Sequence, residues 1–421
     1  MKKAFKSADV LLPDFNKVSG TKWACIACDQ YTSEPKYWEN ARAEIGNSPS
    51  TLDLILPEVY LSKTEELVPK INENMKKYLS SELISHKDSM IYLERTQSDG
   101  KIRRGIIGAV DLEEYDYRAG AASLIRATEG TVLERIPPRV RIRKDADIEL
   151  PHVMLLIDDD KKTVIEEIAA RKDSLATAYE FPLMQNAGKV SAYWLSGSDI
   201  EKVQLSLDAL ITPDEIERRY GDKTLSPLLF AVGDGNHSLA TAKECYEQIK
   251  KALGEEAAKS HPARYALAEI VNLHDDALGF EPIYRVVFGA DVDDLISSLE
   301  KYADGLCGGE APQRVEIIRH DSRSSLTFER PQAQLTVGTL QAFLDQYKAS
   351  HPEIEVDYIH GEDSVASLVS DEKTVGFIFD GMEKDQLFKT VIFDGALPRK
   401  TFSMGHARDK RYYLEARRIK K

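Results

Sequence analysis

A chain of 421 residues, 42% hydrophobic and 30% charged, has room for roughly two to four domains of about 150 residues and for sizeable buried cores. Its net charge of −14 argues against nucleic acid as a partner, although an anionic small molecule needs only local cations. No apolar stretch approaches the roughly 20 residues of a membrane span, and four cysteines make no disulfide framework.

The opening Met1-Lys2-Lys3-Ala4-Phe5-Lys6 is not followed by the apolar core of a secretory signal, so a cytoplasmic protein is expected. Cys25 and Cys28 form a CxxC pair beside Trp23. With no second pair at metal-binding spacing, two buried small residues are expected there before a redox or zinc site. Asp29 and Glu34 lie in an early loop near Pro35; such acids are either solvated or bases within reach of a hydroxyl. Val59–Leu83 predicts a largely helical stretch, with Leu67, Ile71, Met75, Tyr78 and Leu79 at helical spacing. Met90–Arg95 and Lys101–Val110 predict two strands around a Ser98-Asp99-Gly100 hairpin turn.

Glu129 and Thr131 stand among Arg126, Arg135 and Arg139, either as a carboxylate held ionised or as a surface ion-pair cluster. Val153–Ile157 predicts a buried strand ending in Asp158-Asp159-Asp160, a charged turn or a set of oxygen ligands for Mg²⁺. A helix is expected over Thr163–Lys172, a strand at Val190–Leu195, and a helix at Asp199–Ile211 with Asp199 near its cap. Ser196-Gly197-Ser198 predicts a turn into that helix. No Gly-x-Ser-x-Gly elbow exists, which discounts a serine hydrolase.

The most informative stretch is Leu228–Lys243. A strand-length apolar run meets Gly233-Asp234-Gly235, then Asn236 and His237, then a helix whose Leu239, Ala242, Tyr246, Ile249 and Leu253 share a face. The two glycines allow close approach to the main chain, and Asn236 is a good helix cap. A helix start carries outward N–H groups and partial positive charge. Asp234 suits a metal ion or a hydroxyl, and His237 suits a phosphate or a proton transfer near neutral pH. The plain alternative is a tight strand-to-helix turn, because neither a P-loop nor a full GxGxxG is present.

Leu267–Leu273 predicts another strand, followed by a polar cluster of Asn272, His274, Asp275 and Asp276. From about Glu281 the α/β pattern restarts, with a helix near Val337–Ala349 and strands at Val356–Ile359 and Val375–Phe379. Arg285 sits inside the apolar run Ile283–Phe288; if buried, it needs an anion such as phosphate, or a partner such as Glu281. The segment Pro398–Lys421 is dominated by Lys and Arg. It reads as a solvated terminal face, or as a source of cations, Lys400 among them, for an anionic ligand.

Asp234-Gly235-Asn236-His237-Ser238 resembles the Asp-Gly-His-His-Arg signature of a bacterial family called domain of unknown function 1015. Four further blocks carry the resemblance along most of the chain. Ala27-Cys28-Asp29-Gln30 resembles the family's Pro-Tyr-Asp-Val segment. Ile125–Thr131 resembles its Arg-His-Glu-x-Thr segment. Asp276-Ala277-Leu278 and Pro282–Val287 resemble Asp-x-Gly-Leu and Pro-x-His-Arg, and Pro398–Phe402 resembles the terminal Pro-x-Lys-Ser-Thr. The signature is also similar to that of the ParB–sulfiredoxin superfamily, which includes free-serine kinases whose related loops bind nucleotide phosphates. Four departures matter: Asn236 replaces a histidine, Ser238 replaces an arginine, and Ala127 and Tyr284 stand where the family often has histidine. Losing that arginine removes a bidentate phosphate ligand.

The fold expected is mixed α/β (α+β). The resemblance implies a ParB–sulfiredoxin-like mixed-sheet core with a separate C-terminal α/β domain. Expected boundaries are 1–280 for the N-terminal and central region, 281–397 for the C-terminal domain and 398–421 for a basic tail. The function expected is a nucleotide- or phosphate-binding protein, kinase-like, acting on a small hydroxyl amino acid such as serine. The alternative is a non-catalytic regulatory protein that binds a nucleotide or phosphometabolite. Catalytic candidates are His237, Asp234, Asp29, Glu34 and Glu129. Phosphate-binding candidates are Gly233, Gly235, Asn236, Ser238, Arg285 and Lys400. Mg²⁺ and ATP or ADP are the cofactors this implies, with the metal ligands left open. A phosphorylated small molecule is the partner expected, with no nucleic acid and no membrane; the oligomeric state is left open.

Overall fold

The computed structural model describes residues 3–118, 120–130 and 136–420. They fall into two compact units. One comprises Met1–Ala127, Thr131–Leu278 and His406–Lys421, and the other Thr128–Gly130 and Gly279–Gly405. The chain is a mixed α/β protein with a large mixed sheet in the first unit and a separate antiparallel sheet in the second.

The ten-stranded sheet of the first unit follows the order Ala176–Pro182, Lys189–Trp194, Ile91–Thr96, Ile102–Asp111, Tyr265–Asn272, Met154–Ile157, Phe230–Asp234, Ile125–Ala127, Tyr115–Asp116. Phe5–Lys6 joins it against Ile102–Asp111. Met154–Ile157 runs parallel to Tyr265–Asn272 and antiparallel to Phe230–Asp234, which in turn runs parallel to Ile125–Ala127. Side-chain alternation gives the sheet a core on each face. Ile91, Leu93, Ile107 and Ala109 enter one core, whereas Tyr92, Ile106 and Val110 enter the other. Strands covered on both faces read as near-continuous apolar runs, which is how Val153–Ile157 reads, whereas Leu267–Leu273 carries Glu269 and Asn272 within its run.

The helix Thr64–Ser81 buries Ile71, Met75 and Tyr78, as their spacing predicts, after a 3-10 stretch at Glu58–Lys63. Ile91–Thr96 and Ile102–Asp111 pair antiparallel around the expected turn, with Gly100 at φ 84°. One helix expectation fails and another shifts. The Thr163–Lys172 helix shrinks to Glu166–Ala169 and a 3-10 turn at Lys172–Ser174. Buried Asp159 accepts the N–H groups of Thr163 at 2.6 Å and Val164 at 2.8 Å, which fixes a turn where the helix was to begin. The later helix forms as expected but runs Gly197–Ala209, two residues earlier than Asp199–Ile211. Ser196 caps it, and Asp199 at the third helical position closes a capping box.

The end of the chain is not a solvated face. Tyr412–Tyr413 pairs with Cys25–Ile26, and Arg417–Arg418 pairs with Ile148–Glu149. Arg411 binds Glu269 and Glu415, each at 2.7 Å, and Arg417 binds Glu149 at 2.8 Å; all five side chains are buried. Burial pushes the Glu269 carboxyl up, but Arg103 and Arg411 outweigh it and hold it below the usual range. Glu149 behaves alike: burial raises it, and Arg417 and Arg143 bring it down.

The second unit has a six-stranded sheet with every pairing antiparallel, in the order Arg323–Phe328, Gln313–Ile318, Thr374–Phe379, Phe280–Phe288, Glu355–His360. Phe402–Met404 pairs with Phe280–Pro282. Its longest helix, Thr336–Ser350, buries Leu340, Phe343 and Leu344. Among the described residues, no helix is long and apolar enough to cross a membrane.

Candidate functional site

The strand Phe230–Asp234 is held on both sides. Val232 stands opposite Ala127, and Asp234 stands opposite Met154. The chain then turns on one residue, Gly235, and enters the 18-residue helix Asn236–Leu253. Gly235, not Asn236, is the cap; Asn236 is the first helical residue. Gly235 has φ 80°, and a Cβ there would lie 3.0 Å from the Val153 Cα, so both torsion and space call for glycine. Gly233 lies within the strand.

Asp234 is positioned twice. Its Oδ1 accepts the Gly235 N–H at 2.9 Å, and its Oδ2 is 3.2 Å from the Lys410 ammonium. Asn236, His237 and Ser238 are half-buried in the first turn of the helix, where N–H groups point outward and the macrodipole is positive. The His237 carbonyl accepts the Thr241 hydroxyl at 2.7 Å.

A second group meets this junction from three distant stretches of chain. His152 is buried, with Nε2 3.3 Å from Asp29 Oδ2 and Nδ1 2.8 Å from the Tyr413 hydroxyl. Tyr413 donates to Cys28 Sγ at 3.1 Å. Nδ1 shares a hydrogen bond with the Tyr413 hydroxyl and Nε2 faces a carboxylate, so a protonated ring has an acceptor on each side. Burial would lower the His152 pKa; Asp29 first, then Asp234 and Glu58, outweigh it and raise it. Burial would raise Asp29, but His152, Gln30 and Lys410 hold it well below the usual carboxylate range. The Asp29 side chain keeps 29% of its surface exposed, so this ionised carboxylate opens to solvent.

The other candidates lie as follows. Glu34 is exposed at the cap of the helix Pro35–Ile45. Glu129, Arg285 and Lys400 belong to the second unit. Glu129 is half-buried and bridges to Leu397. Arg285 is fully buried. Its guanidinium donates to Gln341 Oε1 at 2.7 Å and to the carbonyls of Ile283, Lys400 and Arg399 at 2.6, 3.1 and 3.3 Å. Burial lowers its pKa to about 10. Lys400 is exposed and has φ 59°. Thr131 and Arg135 lie outside the described residues.

The remaining clusters are tied into the structure. Asp158 binds His274 and the Tyr220 hydroxyl, both at 2.7 Å, and Asn272 donates to the Asp159 carbonyl at 2.9 Å. Among the described residues, no group of three or more His, Cys, Asp or Glu is arranged to hold a metal ion. The four cysteines are free, and burial pushes the Cys25 and Cys28 thiols up to about 12, far from a reactive thiolate. Sequence reasoning missed His152, Lys410 and Tyr413. The one local signal was His152 standing at the mouth of a buried strand.

The model of the family described as Protein of unknown function (DUF1015) matches residues 13–415. No curated protein is significantly similar in sequence. Among solved structures, a conserved hypothetical protein from Pyrococcus furiosus is 12% identical at a TM-score of 0.34, over 74% of this chain and 94% of that one. A free serine kinase in complex with AMP is 11% identical at a TM-score of 0.37, over 77% and 94%. SbnI with a C-terminal truncation, from Staphylococcus aureus, is 12% identical at a TM-score of 0.33, over 71% and 82%. All three likenesses are distant.

Proposed function

The chain belongs to the DUF1015 family, and from that premise we propose that Gly233–Ser238 is a phosphate site and the protein a kinase-like phosphotransferase. The observation that carries the reading is the convergence of Asp29, His152, Asp234 and Lys410 at the start of an 18-residue helix. In this proposal ATP or ADP sets its phosphates on the helix start and His237, and Lys410 offsets their charge. Mg²⁺ would be held by Asp234 with phosphate oxygens, the usual pattern of one or two carboxylates plus phosphate. Asp29 orients the acceptor hydroxyl. Its depressed pKa makes it a weak base, which suffices because phosphoryl transfer needs mainly positioning and charge stabilisation. A small hydroxyl amino acid such as serine is the acceptor that the family resemblance implies. The first unit's mixed sheet serves as the ParB–sulfiredoxin-like core of this proposal.

A second reading, a non-catalytic sensor of nucleotides or phosphometabolites, draws on Asn236 and Ser238, which stand in place of the signature's histidine and arginine. One experiment separates the two. Purified protein is incubated with ATP or ADP, Mg²⁺ and serine, and phosphoserine is followed alongside thermal unfolding. Turnover that falls at least about 100-fold in Asp29→Asn supports the kinase. Stabilisation by nucleotide without turnover supports the sensor. His237→Ala should weaken nucleotide binding with the fold intact. Neither shift nor turnover with any nucleotide rejects both.

A further inference from the structure

Beside the start of the motif helix, the first unit holds a pocket of about 170 Å³. Its wall is largely aliphatic, with Leu56, Ile71, Met75, Ile142, Leu150 and Leu239 among its side chains. Ser238, His152 and Tyr413 line it as well, so the pocket shares its wall with the helix start and with the Asp29–His152 pair. An apolar cavity of about 150 Å³ accommodates a benzene ring. This pocket therefore fits a group of ring size, with about six heavy atoms.

Arg139 and Arg143 also line the wall, paired with Glu58 and Glu149, so most of its polar groups are already engaged. His152 faces Asp29 and Tyr413, Glu149 binds Arg417 at 2.8 Å, and the Thr241 hydroxyl donates to the His237 carbonyl at 2.7 Å. A nucleobase entering here would strip water from several donors and acceptors and find few partners in return. A hydrocarbon group loses nothing and gains from leaving water.

We infer that this pocket seats a hydrocarbon group, ring-sized or branched, belonging to a small phosphorylated ligand of the site. The inference rests on the phosphate site read above, in its phosphometabolite form rather than its nucleotide form, and adds the chemical class of the ligand's body. Ser238, on both the pocket wall and the helix start, sets the span between the two ends as short.

The test is calorimetric titration of the full chain with inorganic phosphate and with phenyl phosphate. Both should bind, and phenyl phosphate should bind at least about tenfold tighter, because its ring leaves water. Ala242→Leu adds volume to the pocket wall and should erase that preference while leaving inorganic phosphate binding unchanged. Should Ala242→Leu fail to fold, the half-buried Ile142→Phe fills the pocket instead. Phosphate binding with no gain from the ring overturns the inference and leaves the phosphate reading standing. A gain that persists in a folded, filled variant overturns it too. Binding of neither probe overturns both.

Discussion

His152 governs the electrostatics of the candidate site, because its charge is set by Asp29 on one side and fixed in orientation by Tyr413 on the other. The folded-state pKa of Asp29 is depressed, so its contribution to stability is present above about pH 4 and is lost as pH falls through the depressed value. That of His152 is raised, so its contribution is complete below about pH 6.5 and is lost as pH rises through the raised value. The pair is therefore strongest between about pH 4 and 6.5. His152→Gln should be least stable relative to the parent in that window, and the deficit should shrink at higher pH. Thermal melts across pH 4–9 measure it; a deficit that does not change with pH would mean a neutral imidazole. Asp29 and Asp234 were recognisable from sequence. Their meeting was not, since residues 29, 152, 234, 410 and 413 come together from distant stretches of the chain, and no local pattern encodes a contact of that range.

At the scale of elements, the strand–Gly235–helix junction was legible because a strand-length apolar run, a glycine and a helical face leave little else to build. The caps were harder to read. Asn236 has the chemistry of a cap, but the turn next to Val153 requires a left-handed residue without a Cβ, and that requirement places Gly235 at the cap. A comparison of two glycines makes this measurable. Gly221 also has φ 83°, at the end of the helix Pro213–Tyr220, but a Cβ there would meet nothing within 4 Å. Gly221→Ala should therefore cost only the torsional strain, about 1–2 kcal/mol. Gly235→Ala adds a backbone collision at 3.0 Å and should cost more, with phosphate binding weakened because the helix start shifts. Denaturant melts of both variants check the order, and equal losses would remove the claim that Val153 constrains the turn. The shortened helix after Thr163 has a similar lesson: one buried side chain, Asp159, took the backbone groups that periodicity had assigned to a helix.

For the molecule as a whole, the basic terminal segment changes meaning once burial is known. A run rich in Lys and Arg suggested solvent or a ligand, but residues 406–421 complete the first unit. Trp23 donates to the Leu414 carbonyl at 2.9 Å, Tyr412–Tyr413 extends Cys25–Ile26, and Arg411 and Arg417 neutralise the buried Glu269 and Glu149. Removing one partner of a buried pair costs about 3–5 kcal/mol. Two such losses, about 6–10 kcal/mol, rival a whole domain's stability of about 5–15 kcal/mol. Deleting residues 406–421 should therefore abolish cooperative unfolding of the first unit, rather than merely lower the affinity for an anion. Calorimetry of the truncated chain tests this. To separate lost strands from lost charge pairs, Arg411→Met should destabilise strongly, and Arg411→Met with Glu415→Gln should recover part of the loss, because the second change removes one stranded carboxylate and keeps an acceptor for Tyr179, while Glu269 keeps Arg103. If the single variant is as stable as the double, the buried network contributes little, and the terminal strands alone close the unit.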